Sequence, residues 1–206
     1  MRIIVAAGIV LTLTACGTPS AEKQVKLSTK TEQEADKFLK EKGAAIAFRA
    51  TVGKNLLGNP AECGSVALRR VEGKRQFETV RVNTGSGFRL FKGYSAKDPR
   101  DEGYRIKFEP IKPGKYIVTA LNCDSGYVNP PRLSDGTDIA VAGANTITIG
   151  SSELVDAGTL DFKANFSGRG FLVSYPAESG YRAMVQKNMP NVYSRISFKT
   201  FAPSGL

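Results

Sequence analysis

The 206-residue chain contains no histidine. Its composition therefore excludes a Ser-His-Asp triad, a Cys-His pair and any histidine-ligated metal site. Carboxylate, serine-lysine and thiol chemistry remain. Asp98, Asp101 and Glu102 crowd into SAKDPRDEG, and paired carboxylates can act as general acid and base. Lys97 and Arg100 are interleaved with them, so a solvated turn is the better reading. Ser20 and Lys23 have S-x-x-K spacing, but they fall in a polar stretch with no pocket to desolvate the lysine. Ser134-Asp135-Gly136-Thr137-Asp138 offers oxygen ligands without the full calcium-loop pattern and reads as a turn. Gly85 and Gly87 in TGSGFRL lack the third glycine and the Lys-Ser/Thr of a phosphate loop. No metal or cofactor is expected, and the chain reads as non-enzymatic.

Three cysteines remain, at 16, 63 and 123. Cys16 closes a segment in which Ile3 to Leu13 are almost all apolar behind Arg2. This run is too short for the roughly 20 apolar residues of a membrane-spanning helix. It does have the basic start, apolar middle and small-residue end of an export signal. Leu13-Thr14-Ala15-Cys16 resembles the lipobox of bacterial lipoprotein precursors. That resemblance implies removal of residues 1–15 and a diacylglycerol on the Cys16 thiol, which would anchor the mature chain in a lipid bilayer. Stable anchoring takes two acyl chains, and one diacylglycerol supplies both. In that family an aspartate after the cysteine favours retention at the inner membrane. Gly17 stands there in this chain, which implies the outer membrane, facing the periplasm, in a diderm organism.

Export bears on the other two cysteines. In an oxidising compartment Cys63 and Cys123 form an even pair, and a disulfide is expected in preference to two separate buried thiols. The bridge would close a loop of about 60 residues, worth roughly 3–4.5 kcal/mol in the chain-entropy model. With Cys16 acylated and the other two bridged, no thiol is left for nucleophilic or zinc chemistry.

Charge is unevenly spread. The chain has 29 Lys+Arg against 19 Asp+Glu. Residues 66–115 hold 13 basic and 6 acidic side chains, whereas 116–206 hold seven of each. Such asymmetry suggests a face that meets an anionic partner. Its candidate members are Arg69, Arg70, Lys74, Arg75, Arg81, Arg89, Arg105 and Lys107. Nucleic acid is not expected, because no recognised module accompanies these residues and an exported chain does not meet it. The partner expected is an envelope protein or an anionic envelope polymer or lipid.

These groups need a scaffold. Residues 16–30 read as the lipidated cysteine and a polar tether, and 31–206 as the folded domain. Thr31 and Glu34 have the spacing of a capping box. Ala35, Phe38 and Leu39 follow at helical spacing, with Gly43 as a stop. From residue 44 the period becomes two: AIAFRATV, SVALRRVE, ETVRVN, FRLFKGY and YRIKFEPI read as strands. In ETVRVN, Val80 and Val82 face opposite Arg81, so alternation turns basic side chains outward. GKYIVTALNC is apolar on both parities and reads as a central strand, with Ile117, Leu121 and Cys123 on one face. Tyr181, Met184, Val185, Met189 and Val192 recur at helical spacing, and Pro190 kinks or splits that segment.

The predicted fold is mainly β: an antiparallel β-sandwich with a short N-terminal helix and a C-terminal helical segment. IKPGKYIVTALNC resembles the turn-strand unit of transthyretin-like and carboxypeptidase-regulatory-like sandwiches. Together with LVDAGTLDF it also resembles poorly characterised exported lipoproteins; the resemblance covers about 25 residues in all and implies a binding or structural role rather than catalysis.

Overall fold

A computed structural model describes residues 21–54, 60–72, 75–84, 107–123, 126–128, 140–164 and 170–204. Helix α1 spans Ala21–Lys42 and so begins upstream of the capping box at Thr31. Its first part carries polar groups that satisfy one another along the helix. Glu22 pairs with Lys26 at 2.8 Å, and the Thr29 hydroxyl donates to the Val25 carbonyl at 3.0 Å. Pairs four apart support a helix that has little else to lean on. Burial begins at Thr31: Glu22, Val25, Lys26, Thr29 and Lys30 are exposed, while Thr31 and Ala35 are buried. Gly43, at φ +87°, ends the helix and donates its amide to the Leu39 carbonyl at 2.9 Å.

The strands are β1 (Ala44–Lys54), β2 (Pro60–Glu72), β3 (Arg75–Asn83), β4 (Glu109–Ile111), β5 (Gly114–Cys123), β6 (Gly126–Val128), β7 (Thr146–Ile149), β8 (Glu153–Ala164) and β9 (Gly170–Tyr175). Helices α2 (Ser179–Asn188) and α3 (Pro190–Tyr193) follow, then β10 (Ile196–Phe198). The sheet path runs β10-β8-β1-β2-β5-β6, with β3 on β2, β4 on β1, β7 on β5 and β9 on β8. β2 changes partner along its length. Its start pairs with β1, Thr51 opposite Glu62, and from Cys63 onward it pairs with β5.

The sheet is mixed rather than purely antiparallel, because β8 runs parallel to both β1 and β10. Parallel strands are stable where both faces are covered, and the first part of β1 meets that condition. Ala44, Ile46, Phe48 and Ala50 enter one core cluster, while Ala45 and Ala47 enter another. The first cluster joins the two wings of the curled sheet, packing Ile46, Phe48, Leu160 and Leu172 with Leu68, Val82, Tyr116 and Leu121. The second lies under the helices, where Ala45, Ala47 and Leu154 meet Ala35, Tyr181, Val185, Met189 and Val192. Pro190 opens α3 after Met189 closes α2, so the periodic segment is split there. Arg195 ties this layer to α1 through Asp36 at 2.6 Å.

Two irregularities re-aim side chains. On β5 the pairing with β2 slips between Ala67–Ala120 and Leu68–Val118, leaving Thr119 as the extra residue of a bulge. Ile117 is consequently not on the face of Leu121 and Cys123. Tyr116 and Val118 share their core instead, which corrects the strict alternation expected for GKYIVTALNC. On β8 the pairing slips after Asp156, and Gly158 takes φ +65°. A Cβ at Gly158 would lie 2.2 Å from the Tyr175 carbonyl oxygen, so glycine is required by both conformation and space. Cys63 and Cys123 stand directly opposite in register and form a disulfide, with sulfurs 2.04 Å apart.

Candidate functional site

The helices reach along the outer face of β1 only as far as Ala47. Farther along, the same face carries Arg49 and Thr51, paired in register with Thr159 and Asp161 of β8. Those in turn pair with Tyr175 and Val173 of β9, and Lys163 pairs with Phe171. Leu172 points into the core, so alternation puts Phe171, Val173 and Tyr175 together on the outside. Phe171 is 52% and Tyr175 45% exposed. Leu172 between them is 2% exposed, so outward aim, not a loose strand, exposes the rings.

The charges beside these rings are matched. Arg49 grips Glu62 Oε1 through Nε at 2.8 Å and also through Nη2. Asp161 accepts from the Thr51 hydroxyl at 2.9 Å and pairs with Lys163 at 2.5 Å. The hydrogen bond that Lys163 donates to Asp161, together with the carboxylate's charge, holds the Lys163 ammonium above its ordinary pKa. With these polar groups already paired, the face is suited to holding a partner by ring contact.

A second polar centre lies under the helices. Asp156 is 2% exposed. It accepts from the Gly158 amide at 2.9 Å and from the Tyr181 hydroxyl at 2.8 Å. Burial pushes its carboxyl above the ordinary range, and the two hydrogen bonds and the Arg182 charge oppose this only in part. Three residues earlier, Glu153 behaves oppositely. Burial alone would raise it, but hydrogen bonds from Lys199, the Gly150 amide and Ser197, with the Lys199 charge, outweigh that and hold it low. Both carboxylates join elements: Asp156 holds α2 to the β8 bulge, and Glu153 holds Lys199, just past β10, to the start of β8.

The basic set divides. Cys16, Lys74, Arg89 and Arg105 lie outside the described residues, as do Asp98, Asp101, Glu102, Ser20 and Ser134–Asp138. Arg75 opens β3 in register with Glu72. Lys107 pairs with Glu109 at 3.2 Å, which also accepts from Asn83. Alternation along β2 places Arg70 on the side of the core residues Val66 and Leu68, and Arg69 on the opposite side with Arg81. Val82 is buried and Arg81 exposed, so alternation in β3 follows the sequence pattern. Among the described residues, strand pleating separates Arg69 from Arg70.

Sequence reasoning did not single out Phe171 and Tyr175, although the parity of GFLVSYP carries them. Nothing in local spacing connects Asp156 with Tyr181. Among the described residues no group of three Cys, Asp or Glu side chains gathers as a metal site would need, and no helix is long and apolar enough to cross a membrane. No family model, no curated protein and no solved structure matches this chain.

Proposed function

We propose that this protein is a membrane-anchored lipoprotein of the cell envelope that acts as a non-enzymatic binding or assembly component. In this reading residues 1–15 are a signal peptide, diacylglycerol on Cys16 provides the anchor, and residues 31–206 present the binding domain. The finer architecture is a β-sandwich whose two wings close over one core, with the helices as a third layer. The observation that carries the binding role is the outer face of β9. Phe171 and Tyr175 stand exposed there beside charges that are already paired. Neighbouring apolar rings facing solvent mark a surface that a protein partner can cover, and tyrosine is among the residues enriched at interface anchors.

The test is a pull-down of the native protein from mild-detergent membranes, washed at rising salt. A defined protein should stay bound through high salt and be lost from Phe171→Ser/Tyr175→Ser. Equal retention by that variant would overturn the assignment of the surface. Intact-mass analysis tests the anchor, which requires loss of residues 1–15 plus a diacylglycerol on Cys16.

A second reading is favoured by one further observation. Arg69 and Arg81 share an outward face, and neither is ion-paired among the described residues. In this reading the domain binds an anionic envelope polymer or lipid through basic side chains in 66–115. Its binding would weaken steeply with salt.

A further inference from the structure

Register places Arg81 opposite Ala67 and Thr79 opposite Arg69. The two arginines are therefore diagonal neighbours on one face of an antiparallel pair, about 7–8 Å apart at their Cα atoms. Arg81 and Thr79 are exposed and Arg69 is half-buried. Arg69 Nη1 is withdrawn from water and has no hydrogen-bond acceptor. Two like charges so close oppose each other, and a buried N–H without an acceptor is unfavourable.

A single kind of ligand relieves the repulsion directly, and relieves Arg69 Nη1 once its guanidinium turns toward the exposed Arg81. A tetrahedral oxyanion seated between the guanidinium groups accepts hydrogen bonds from each and cancels their repulsion. Guanidinium forks match phosphate oxygens in bidentate fashion. Thr79, directly across from Arg69, adds a hydroxyl donor at the same place. A phosphate group has enough acceptor oxygens to meet all three side chains, whereas a carboxylate has two oxygens in one plane. We infer that Arg69, Thr79 and Arg81 form a phosphate-binding site on the outer face of β2 and β3. This inference rests on the anionic-partner reading and narrows it from eight basic residues to two. Arg70 lies on the other side of the strand, and Lys107 is held by Glu109.

The experiment is titration of the detergent-solubilised full chain by calorimetry, with inorganic phosphate in one arm and glycerophosphoglycerol, a lipid headgroup without its tails, in the other. Tighter binding of the first names a free phosphate as the source, and tighter binding of the second names a headgroup; either supports the site. Arg81→Gln should weaken the better ligand at least tenfold, and Arg81→Lys should recover part of the loss. Arg81 is exposed, so an unchanged thermal melt is expected and separates binding from folding. Undiminished binding by both Arg81→Gln and Arg69→Gln would overturn the site while leaving the broader anionic-surface reading standing. Failure of the wild-type chain to bind phosphate, headgroup or any anionic envelope polymer at low salt would overturn both.

Discussion

The Tyr181 hydroxyl donates to Asp156 Oδ2 at 2.8 Å, joining the third residue of α2 to the strand position just before the β8 bulge. The pair is buried, so its hydrogen bond has no water to replace it. Tyr181→Phe should destabilise the fold by about 1–3 kcal/mol, the usual cost of leaving a buried acceptor short of a donor. Chemical denaturation of the two proteins measures this. A change within error would mean that α2 docks without the bond.

Asp156 also has a pH signature. Its folded carboxyl is raised above its unfolded value by burial, so the folded state favours the protonated form. That contribution is fully present below the unfolded pKa and is lost as pH rises through the folded one. Asp156→Asn removes the titration, with Tyr181, Arg182 and the Gly158 amide still facing the site. Relative to wild type, the variant should gain stability between acid and neutral pH. Parallel stability curves across that range would contradict the assignment.

Glu153 should show the opposite slope. Its carboxyl lies below the ordinary range when folded, so its contribution is present above the unfolded pKa and disappears as pH falls through the folded one. Glu153→Gln should therefore lose stability at neutral pH and approach wild type in acid. Equal penalties at both pH values would mean that the Lys199 contact is not ionic in effect.

Gly158 and Gly53 allow a paired comparison. Both have positive φ, and Ala at either should cost about 1–2 kcal/mol from left-handed backbone strain. Around Gly53 an added methyl meets nothing within 4 Å, whereas at Gly158 it meets backbone atoms of residues 175–177. Gly158→Ala should therefore be clearly the more destabilising in denaturant titrations. Equal losses would show that the 175–177 crossing moves aside freely.

Cys63 lies where β2 leaves β1 for β5, so its bridge to Cys123 pins the strand at its change of partner. Cys63→Ala/Cys123→Ala should cost about 2–5 kcal/mol. Non-reducing mass analysis should find wild type two hydrogens lighter than its reduced form. A reduced and an oxidised protein of equal thermal stability would exclude a structural role for the bridge.

Much of the strand content was legible because a half-buried strand writes its two faces in alternate residues. Val80, Arg81 and Val82 are such a case. The legibility ended at bulges. Thr119 shifts the parity of β5 without any local mark in GKYIVTALNC, and so Ile117 was expected on the wrong face. Parallel pairing was also hidden, since apolar residues on both faces of AIAFRATV say that the strand is covered but not which way its neighbour runs. For the candidate site, the type and spacing of basic residues were visible, but adjacency in sequence was misleading. Arg69 and Arg70 are neighbours in the chain and opposites in the sheet. Phe171 and Tyr175 could have been read from parity alone, whereas the Asp156–Tyr181 bond joins residues 25 positions apart through a fold that neither one announces.

The parallel register of β1 on β8 also bears on how the chain assembles. Ala44 pairs with Glu153, 109 positions later, so β1 meets β2 and β4 along one edge well before β8 reaches the other. Contacts of such long sequence separation slow folding, since loop-closure entropy must be met before they contribute. In a chain emerging from its N-terminus that second edge of β1 stays unpaired until β8 is available. If the chain is exported as proposed, that order favours folding only after translocation is nearly complete.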